Sequence, residues 1–136
     1  MVRNQDIKNL IFELFDSKWT RDISEEEIDH IFAQDNVYYF VHKENDMIVG
    51  MIVLYIVDLL SRKVGVIEET VVLQEYRNKG IASKLISTVI DKAIELGVTC
   101  IELNVKENKK NVQNLYKKFG FYDRTNIAMR KWINKR

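Results

Sequence analysis

A charged turn around Gly80 carries the clearest chemistry in the sequence. It reads Glu75-Tyr76-Arg77-Asn78-Lys79-Gly80-Ile81-Ala82-Ser83 and leads into a long segment whose apolar residues have helical spacing. The start of a helix offers backbone N–H groups without intrahelical partners, together with a partial positive charge. Gly80 would let a ligand approach the backbone closely, and Arg77 and Lys79 would add full charges. These residues predict a site for a pyrophosphate group.

Other phosphate-binding patterns fit this turn less well. The GxxxxGK[ST] loop of nucleotide-binding proteins is absent, and so is the GxGxxG of dinucleotide-binding folds. The pattern that is present, Arg77-x-x-Gly80-x-Ala82, matches by chance in roughly one protein in ten of this length. Taken alone, it is better explained by an ordinary helix start with a solvated arginine and lysine. Its meaning therefore depends on the surrounding elements.

Two helices and three strands are predicted before this turn. The first helix is indicated by apolar residues at helical spacing: Ile7, Leu10, Ile11, Leu14 and Phe15. The second begins at Ser24, which forms a capping box with Glu27. Residues 37–42, 47–57 and 65–73 have strand character and are joined by short polar turns, which predicts an antiparallel meander.

The segment after the turn predicts a crossover. A helix from Ile81 to Leu96 has a wide apolar face and is followed by Gly97, as expected at a helix end. Residues 99–105 then alternate like a strand, so this strand and the third are predicted to be parallel neighbours.

The last part of the chain predicts a short helix and two strands. The helix runs from about Asn111 to Phe119 and ends at Gly120, and the strands cover residues 121–123 and 127–132. Together these elements predict one α/β domain over residues 1–136, with helices flanking a mixed sheet.

Two motifs give this arrangement a specific resemblance. The stretch from about Tyr38 to Trp132 resembles the GCN5-related N-acetyltransferase (GNAT) family. The Q/R-x-x-G-x-G/A pyrophosphate loop of that family matches at Arg77, Gly80 and Ala82. Its later Leu-Tyr-x-x-x-Gly-Phe signature matches at Leu115, Tyr116, Gly120 and Phe121. The resemblance implies a GNAT-like fold, in which an antiparallel meander leads into a β-α-β crossover.

The resemblance also implies a reaction, the transfer of acetyl from acetyl-CoA directly to a primary amine of a small molecule or peptide in a ternary complex. The backbone around the turn would bind the pyrophosphate, and the preceding strand would bind the pantetheine arm. The implied donor-binding residues are Val71, Val72, Arg77, Asn78, Lys79, Gly80, Ile81, Ala82 and Ser83. The N–H near Val72 would polarise the thioester carbonyl.

Three residues are candidates for proton transfer. Tyr116 matches the family tyrosine that protonates the leaving thiolate, although it is also compatible with a purely structural place in the core. Glu68 and Glu69 resemble an acid-rich pair of some aminosugar acetyltransferases, which favours Glu68 as the base and Glu69 as a close second. Because successive strand residues face opposite sides, we expect at most one of them to point at the cleft. Either glutamate could instead pair with a nearby basic residue.

The sequence departs from the family at two places. The asparagine usually found seven residues before the tyrosine is Lys109 here, which leaves Asn108 and Asn111 as alternatives, with Asn111 kept as a candidate CoA contact. Only residues 1–3 precede the first helical pattern, so the first strand of the family is short or missing. The sheet edge that it would cover is either paired in a homodimer or protected by charge.

The composition argues against several other classes of protein. The 136 residues carry 21 basic and 20 acidic side chains, which argues against nucleic-acid binding. The single cysteine, Cys100, cannot form an internal disulfide, and His30 and His42 lack a carboxylate cluster, so we expect no metal site and a reducing compartment. No segment is apolar enough for a membrane span or a signal peptide, so we expect a cytoplasmic protein.

Two other functions stay open, and so does the identity of the acceptor. A catalytically silent acyl-CoA-binding sensor or partner module would bind the donor without turnover, and a small α/β interaction domain would not bind it at all. The segments expected to form the acceptor wall, residues 16–24 and 122–126, carry no diagnostic pattern. Asp16, Asp22 and Glu25 could attract a cationic amine such as a polyamine, an aminosugar or a protein N-terminus.

Overall fold

The computed structural model describes residues 4–14 and 22–134 of the chain. The helices and strands in chain order are α1 (Asn4–Leu14), α2 (Glu25–Phe32), β1 (Val37–Glu44), β2 (Met47–Asp58), β3 (Lys63–Val72), α3 (Ile81–Glu95), β4 (Cys100–Glu102) and α4 (Lys110–Lys118). A 3₁₀ turn, Gln74–Tyr76, lies between β3 and α3. The chain forms two compact units, one that ends at Asn104 and one that begins at Val105.

The first unit is built on a four-stranded sheet in the order β1-β2-β3-β4. The pairs β1–β2 and β2–β3 are antiparallel, whereas β3 and β4 are parallel. This arrangement confirms the predicted mixed sheet, in which a meander leads into a crossover. The fourth strand is shorter than predicted, since only Cys100–Glu102 of residues 99–105 pair with β3.

Helices cover both faces of the sheet because β2 is apolar on both sides. Met51 and Val53 join a buried cluster with residues of α1 and α2, and we call this side the α1/α2 face. Gly50 faces the other way, where an added Cβ would lie 3.1 Å from Ile81 and 3.3 Å from Leu85 of α3. The absence of a side chain at Gly50 therefore lets the start of α3 lie close to the sheet.

The helix ends follow the capping signals in the sequence. Ser24 caps α2, and its hydroxyl accepts the N–H of Glu27 at 3.1 Å, as the capping box predicts. Gly97 follows α3 with a φ of +74°, a conformation that costs glycine little. Phe15, predicted in the first helix, lies outside the described residues. None of the helices in the described ranges is long and apolar enough to cross a membrane.

Two predicted strands are absent. Residues 121–123 and 127–132 contain no strand in the structure. The side chains of Ile127 and Met129 are 85% and 91% exposed, so the apolar positions of this segment do not form a buried face. Alternation favours a strand only where a second strand supplies paired side chains and backbone hydrogen bonds. The prediction of two C-terminal strands is therefore wrong.

The strand β1 is an edge of the described sheet. The prediction that the family's first strand is short or missing concerns residues 1–3, which are outside the described ranges. Pairing of this edge with a second copy of the chain stays a prediction.

A buried carboxylate connects α1 to the sheet. Asp6 is 3% exposed, and its Oδ2 accepts the N–H of Ile48 at 3.1 Å. Replacing Asp6 with alanine would leave that buried N–H without this acceptor. We expect Asp6→Ala to lower the free energy of unfolding by about 1–3 kcal/mol, measured by chemical denaturation. The exposed Gln5→Ala change in the same helix is the control, and an equal loss in both variants would contradict this role for Asp6.

Candidate active site

The strands β3 and β4 separate beside the loop that precedes α3. Pairing between them is confined to Val64–Val66 and Cys100–Glu102, while β3 continues to Val72. The six residues from 67 to 72 extend over roughly 20 Å and are not paired with β4. A strand edge of this kind can hydrogen-bond a linear ligand that carries amide groups, as it would another strand.

A β-bulge interrupts β3 in this separated part. The register jumps from Met51↔Val71 to Val53↔Glu68, which leaves Ile52 of β2 opposite both Glu69 and Thr70. Glu69 has a φ of +52°, in the left-handed region that a non-glycine residue enters at a cost of roughly 1–2 kcal/mol. Backbone strain of this kind is concentrated at functional sites and re-aims the neighbouring groups.

The loop between β3 and α3 exposes the backbone to an incoming anion. Gly80 has a φ of +81°, and a Cβ added there would meet no atom within 4 Å. The first helical hydrogen bond of α3 runs from the N–H of Lys84 to the carbonyl of Gly80 at 3.1 Å. The N–H groups of residues 81–83 therefore have no acceptor within the helix. Together with the helix dipole, this open backbone fits a pyrophosphate group.

The Arg77 side chain does not extend into this open space. Its Nε donates to the carbonyl of Val72 at 2.8 Å, and its Nη2 lies 3.9 Å from Glu13 Oε2. Glu13 also accepts the N–H of Gln74 at 3.3 Å through Oε1. The guanidinium thus ties the loop to the end of β3 and to α1. Sequence reasoning missed Glu13, because it lies on a separate helix far from the loop in the sequence.

Lys79 keeps its ammonium group close to the loop. Its Nζ lies 5.3 Å from the centre of the Tyr76 ring, within the range of a cation–π contact. Asn78, the residue before it, has a φ of +63°, which asparagine tolerates better than most residues. The loop therefore keeps the charge of Lys79 beside Tyr76, whereas Arg77 is hydrogen-bonded to the end of β3.

The two candidate bases of β3 both approach Tyr55 of β2. Glu68 pairs with Val53 and so shares the α1/α2 face, where Tyr55 also lies. The Tyr55 hydroxyl donates to Glu69 Oε2 at 2.9 Å. The bulge breaks the alternation at this point, which brings both carboxylates toward Tyr55. Which of the two points at the cleft stays a prediction.

The protonation of Tyr55 reflects this environment. Burial of the ring raises the pKa of the Tyr55 phenol above its ordinary value, and the charge of Glu69, its hydrogen bond and the charge of Glu68 raise it further. The phenol is therefore a neutral donor at any physiological pH. Tyr55 was missed in the sequence because it is 14 residues from Glu69, and only the hairpin register brings the two together.

The second unit contains Tyr116 and Asn111 on α4. Tyr116 is buried, and its ring contacts Phe121 edge to face with centroids 5.3 Å apart. The Phe121 N–H donates to the Tyr116 carbonyl at 3.3 Å, and Gly120 between them has a φ of +94°. The Tyr-x-x-x-Gly-Phe signature thus describes a helix end closed by glycine. Asn111 is exposed in the first turn of α4.

The remaining sequence candidates do not assemble into a metal site. Within residues 4–14 and 22–134, no group of three or more His, Cys, Asp or Glu side chains is placed to hold a metal ion. His42 contacts Glu44 at 3.0 Å, and Cys100 is partly buried in β4. Asp16, the candidate attractor of a cationic amine, lies outside the described residues.

The strand separation, the bulge and the open helix start all belong to the segment from β3 to α3 of this α/β fold. The sequence matches the acetyltransferase (GNAT) family over residues 4–121, and the chain belongs to that family. It is 33% identical over 98 residues to the uncharacterized N-acetyltransferase YdgE of Bacillus subtilis (strain 168). That match covers 71% of this chain and 62% of the relative, so the chain matches less than two thirds of the relative's length.

Solved structures show the same fold. The aminoglycoside acetyltransferase meta-AAC0020, from an uncultured soil metagenomic sample, superposes with a TM-score of 0.85 at 18% identity, over 97% of this chain and 88% of that one. The glucosamine-6-phosphate N-acetyltransferase of Arabidopsis thaliana superposes with a TM-score of 0.78 at 24% identity, over 98% and 95%. At these identities the likeness establishes the architecture.

Proposed function

We propose that this chain is an N-acetyltransferase that moves acetyl from acetyl-CoA directly to a primary amine, with residues 1–136 as a single acetyltransferase domain. The observation that carries the proposal is the open backbone at Gly80 and the start of α3, directly beyond the separated end of β3. In this proposal the backbone of residues 77–83 binds the pyrophosphate, and Val71 and Val72 bind the pantetheine arm.

The chemistry needs a base and an acid from the protein. Acetyl-CoA supplies an activated thioester when bound. Glu68 or Glu69 accepts the proton that the amine must lose as its nitrogen bonds to the acetyl carbon. A free glutamate and a free amine differ by about 6 pKa units, roughly 8 kcal/mol, so the proton passes through water or the minor neutral amine is the one that reacts. Tyr116 returns a proton to the sulfur as the C–S bond breaks.

The role of Tyr116 rests on the motif, and one variant tests it. We expect Tyr116→Phe to keep the ring and its contact with Phe121 but to lower kcat by about 100-fold, because the phenolic proton is lost. Acetyl-CoA affinity should be unchanged in a calorimetric titration. Tyr122→Phe, at an exposed position of the same unit, is the matched control. Unchanged kcat in Tyr116→Phe would remove the tyrosine from the reaction.

The experiment that tests the proposed function is an assay of amine-dependent CoA release. The panel contains an aminoglycoside, glucosamine 6-phosphate, a polyamine and a peptide with a free N-terminus, the first two because structural relatives carry those names. Free thiol should appear only with a suitable amine, and mass spectrometry should find the acetylated product. Donor binding with no turnover for any amine would instead indicate a non-catalytic acyl-CoA-binding module.

A further inference from the structure

Two features fix the position of Tyr55 in β2: the packing of its ring and the pairing of its backbone. Its ring packs against the buried cluster of the α1/α2 face. Its backbone pairs with Val66 of β3, in the regular part of the hairpin before the bulge. Packing and strand register therefore fix the phenol independently of its hydrogen bond to Glu69. In that bond the Tyr55 hydroxyl lies 2.9 Å from Glu69 Oε2.

Glu69 accepts this hydrogen bond from an unusual backbone conformation. Its left-handed backbone, with a φ of +52°, turns its side chain out of the regular alternation and toward the face that already holds Glu68. Two carboxylates on one face repel each other, and a hydrogen bond donated to one of them favours its ionised form and a single orientation. Tyr55 is placed to supply this bond.

We propose that Tyr55 is a positioning residue for acetyl transfer, whose hydroxyl holds Glu69 ionised and oriented so that both glutamates can receive a protonated amine. This inference rests on the proposed function of the site. Tyr55 itself does not need to touch the substrate, because its effect passes through Glu69.

A double-mutant cycle on kcat/KM for the amine tests the inference. We expect Tyr55→Phe to lower kcat/KM by about tenfold, mainly through a higher KM for the amine, because a hydrogen bond to a charged group is lost. The acid limb of its pH profile should move to higher pH, since the ionised carboxylate is less stabilised. In the Glu69→Gln background the same change should have almost no further effect, whereas in Glu68→Gln it should keep its full effect.

A second tyrosine of the sheet provides the control for Tyr55→Phe. Tyr39→Phe removes a hydroxyl from a tyrosine that stacks on Phe32 at 4.0 Å, and it should leave kcat/KM and the pH profile unchanged. Multiplicative effects of Tyr55→Phe and Glu69→Gln would overturn the inference while leaving the acetyltransferase proposal intact. Absence of turnover by the wild-type protein with every amine would instead overturn the proposed function.

A second measurement does not depend on finding the acceptor. With carbon-13-labelled tyrosine, the phenol of Tyr55 can be followed through an alkaline NMR titration. Burial raises the pKa of the Tyr55 phenol, and the charge and hydrogen bond of Glu69 raise it further, so this pKa should fall in Glu69→Gln. An unchanged titration in Glu69→Gln would show that the two side chains are not coupled and would overturn the inference.

Discussion

The Gly80→Glu variant should bind acetyl-CoA at least 100-fold more weakly than the wild-type protein, a loss of about 2.7 kcal/mol or more. The new carboxylate would point into space that is empty within 4 Å of the Cβ, next to unpaired N–H groups at the start of α3. It would occupy the place of the pyrophosphate and repel its charges. Calorimetric titration of acetyl-CoA into both proteins measures the difference.

Gly97→Glu is the matched control for this variant. Gly97 also has a positive φ, +74° against +81° at Gly80, and an added Cβ there likewise meets nothing within 4 Å. The two substitutions therefore impose similar backbone strain, roughly 1–2 kcal/mol, and add the same charge at opposite ends of α3. Equal weakening in both variants would mean that the effect is on stability, and unchanged affinity in Gly80→Glu would place the donor elsewhere.

The double variant Glu68→Gln/Glu69→Gln should lose about 1,000-fold in kcat, a general-base effect of the usual size, while its affinity for acetyl-CoA stays the same. Each single variant should lose less, because both carboxylates lie close to Tyr55 and one can partly replace the other. Steady-state kinetics with the best amine from the panel gives the comparison. Glu95→Gln, which removes a carboxylate paired with Lys92 at the far end of α3, is the control.

The loss of activity in the Glu68→Gln/Glu69→Gln variant should become smaller as the pH rises. A primary amine with a pKa near about 10.4 arrives mostly protonated at neutral pH and increasingly neutral as the pH rises. Either form loses a proton as its nitrogen bonds to the acetyl carbon, but the protonated form must lose one more before it can attack, so the ratio of wild-type to double-variant kcat/KM should fall toward alkaline pH. A ratio that stays constant across the pH range would contradict a base role for these glutamates.

Local signals in the sequence were sufficient for the elements that surround the proposed donor site. The helix start after Gly80, the crossover that places it beside β3 and the capping of α2 all depend on residues close together in the chain. The length of β4 was overestimated, because alternation at Leu103 and Val105 does not reveal where the partner strand diverges. The two C-terminal strands failed for the same reason, since a strand needs a partner that periodicity cannot supply.

Non-local contacts account for what sequence reasoning missed. The bulge at Glu69 is a property of the register between β2 and β3, and no glycine marks it. Because the bulge was not foreseen, the regular alternation of strand side chains placed Glu68 and Glu69 on opposite faces. Tyr55 was therefore assigned no role. The same holds for Glu13, which contacts the loop through Gln74 and Arg77 from a separate helix.

Calorimetric titration of the wild-type protein with acetyl-CoA is the most direct test of the donor site, with ATP and NAD as controls. We expect saturable binding of one acetyl-CoA per chain and much weaker binding of either control, because the proposed site joins an anion-binding helix start to a strand edge suited to the amide groups of the pantetheine arm. No binding of acetyl-CoA by protein that circular dichroism shows to be folded would contradict the acetyltransferase function.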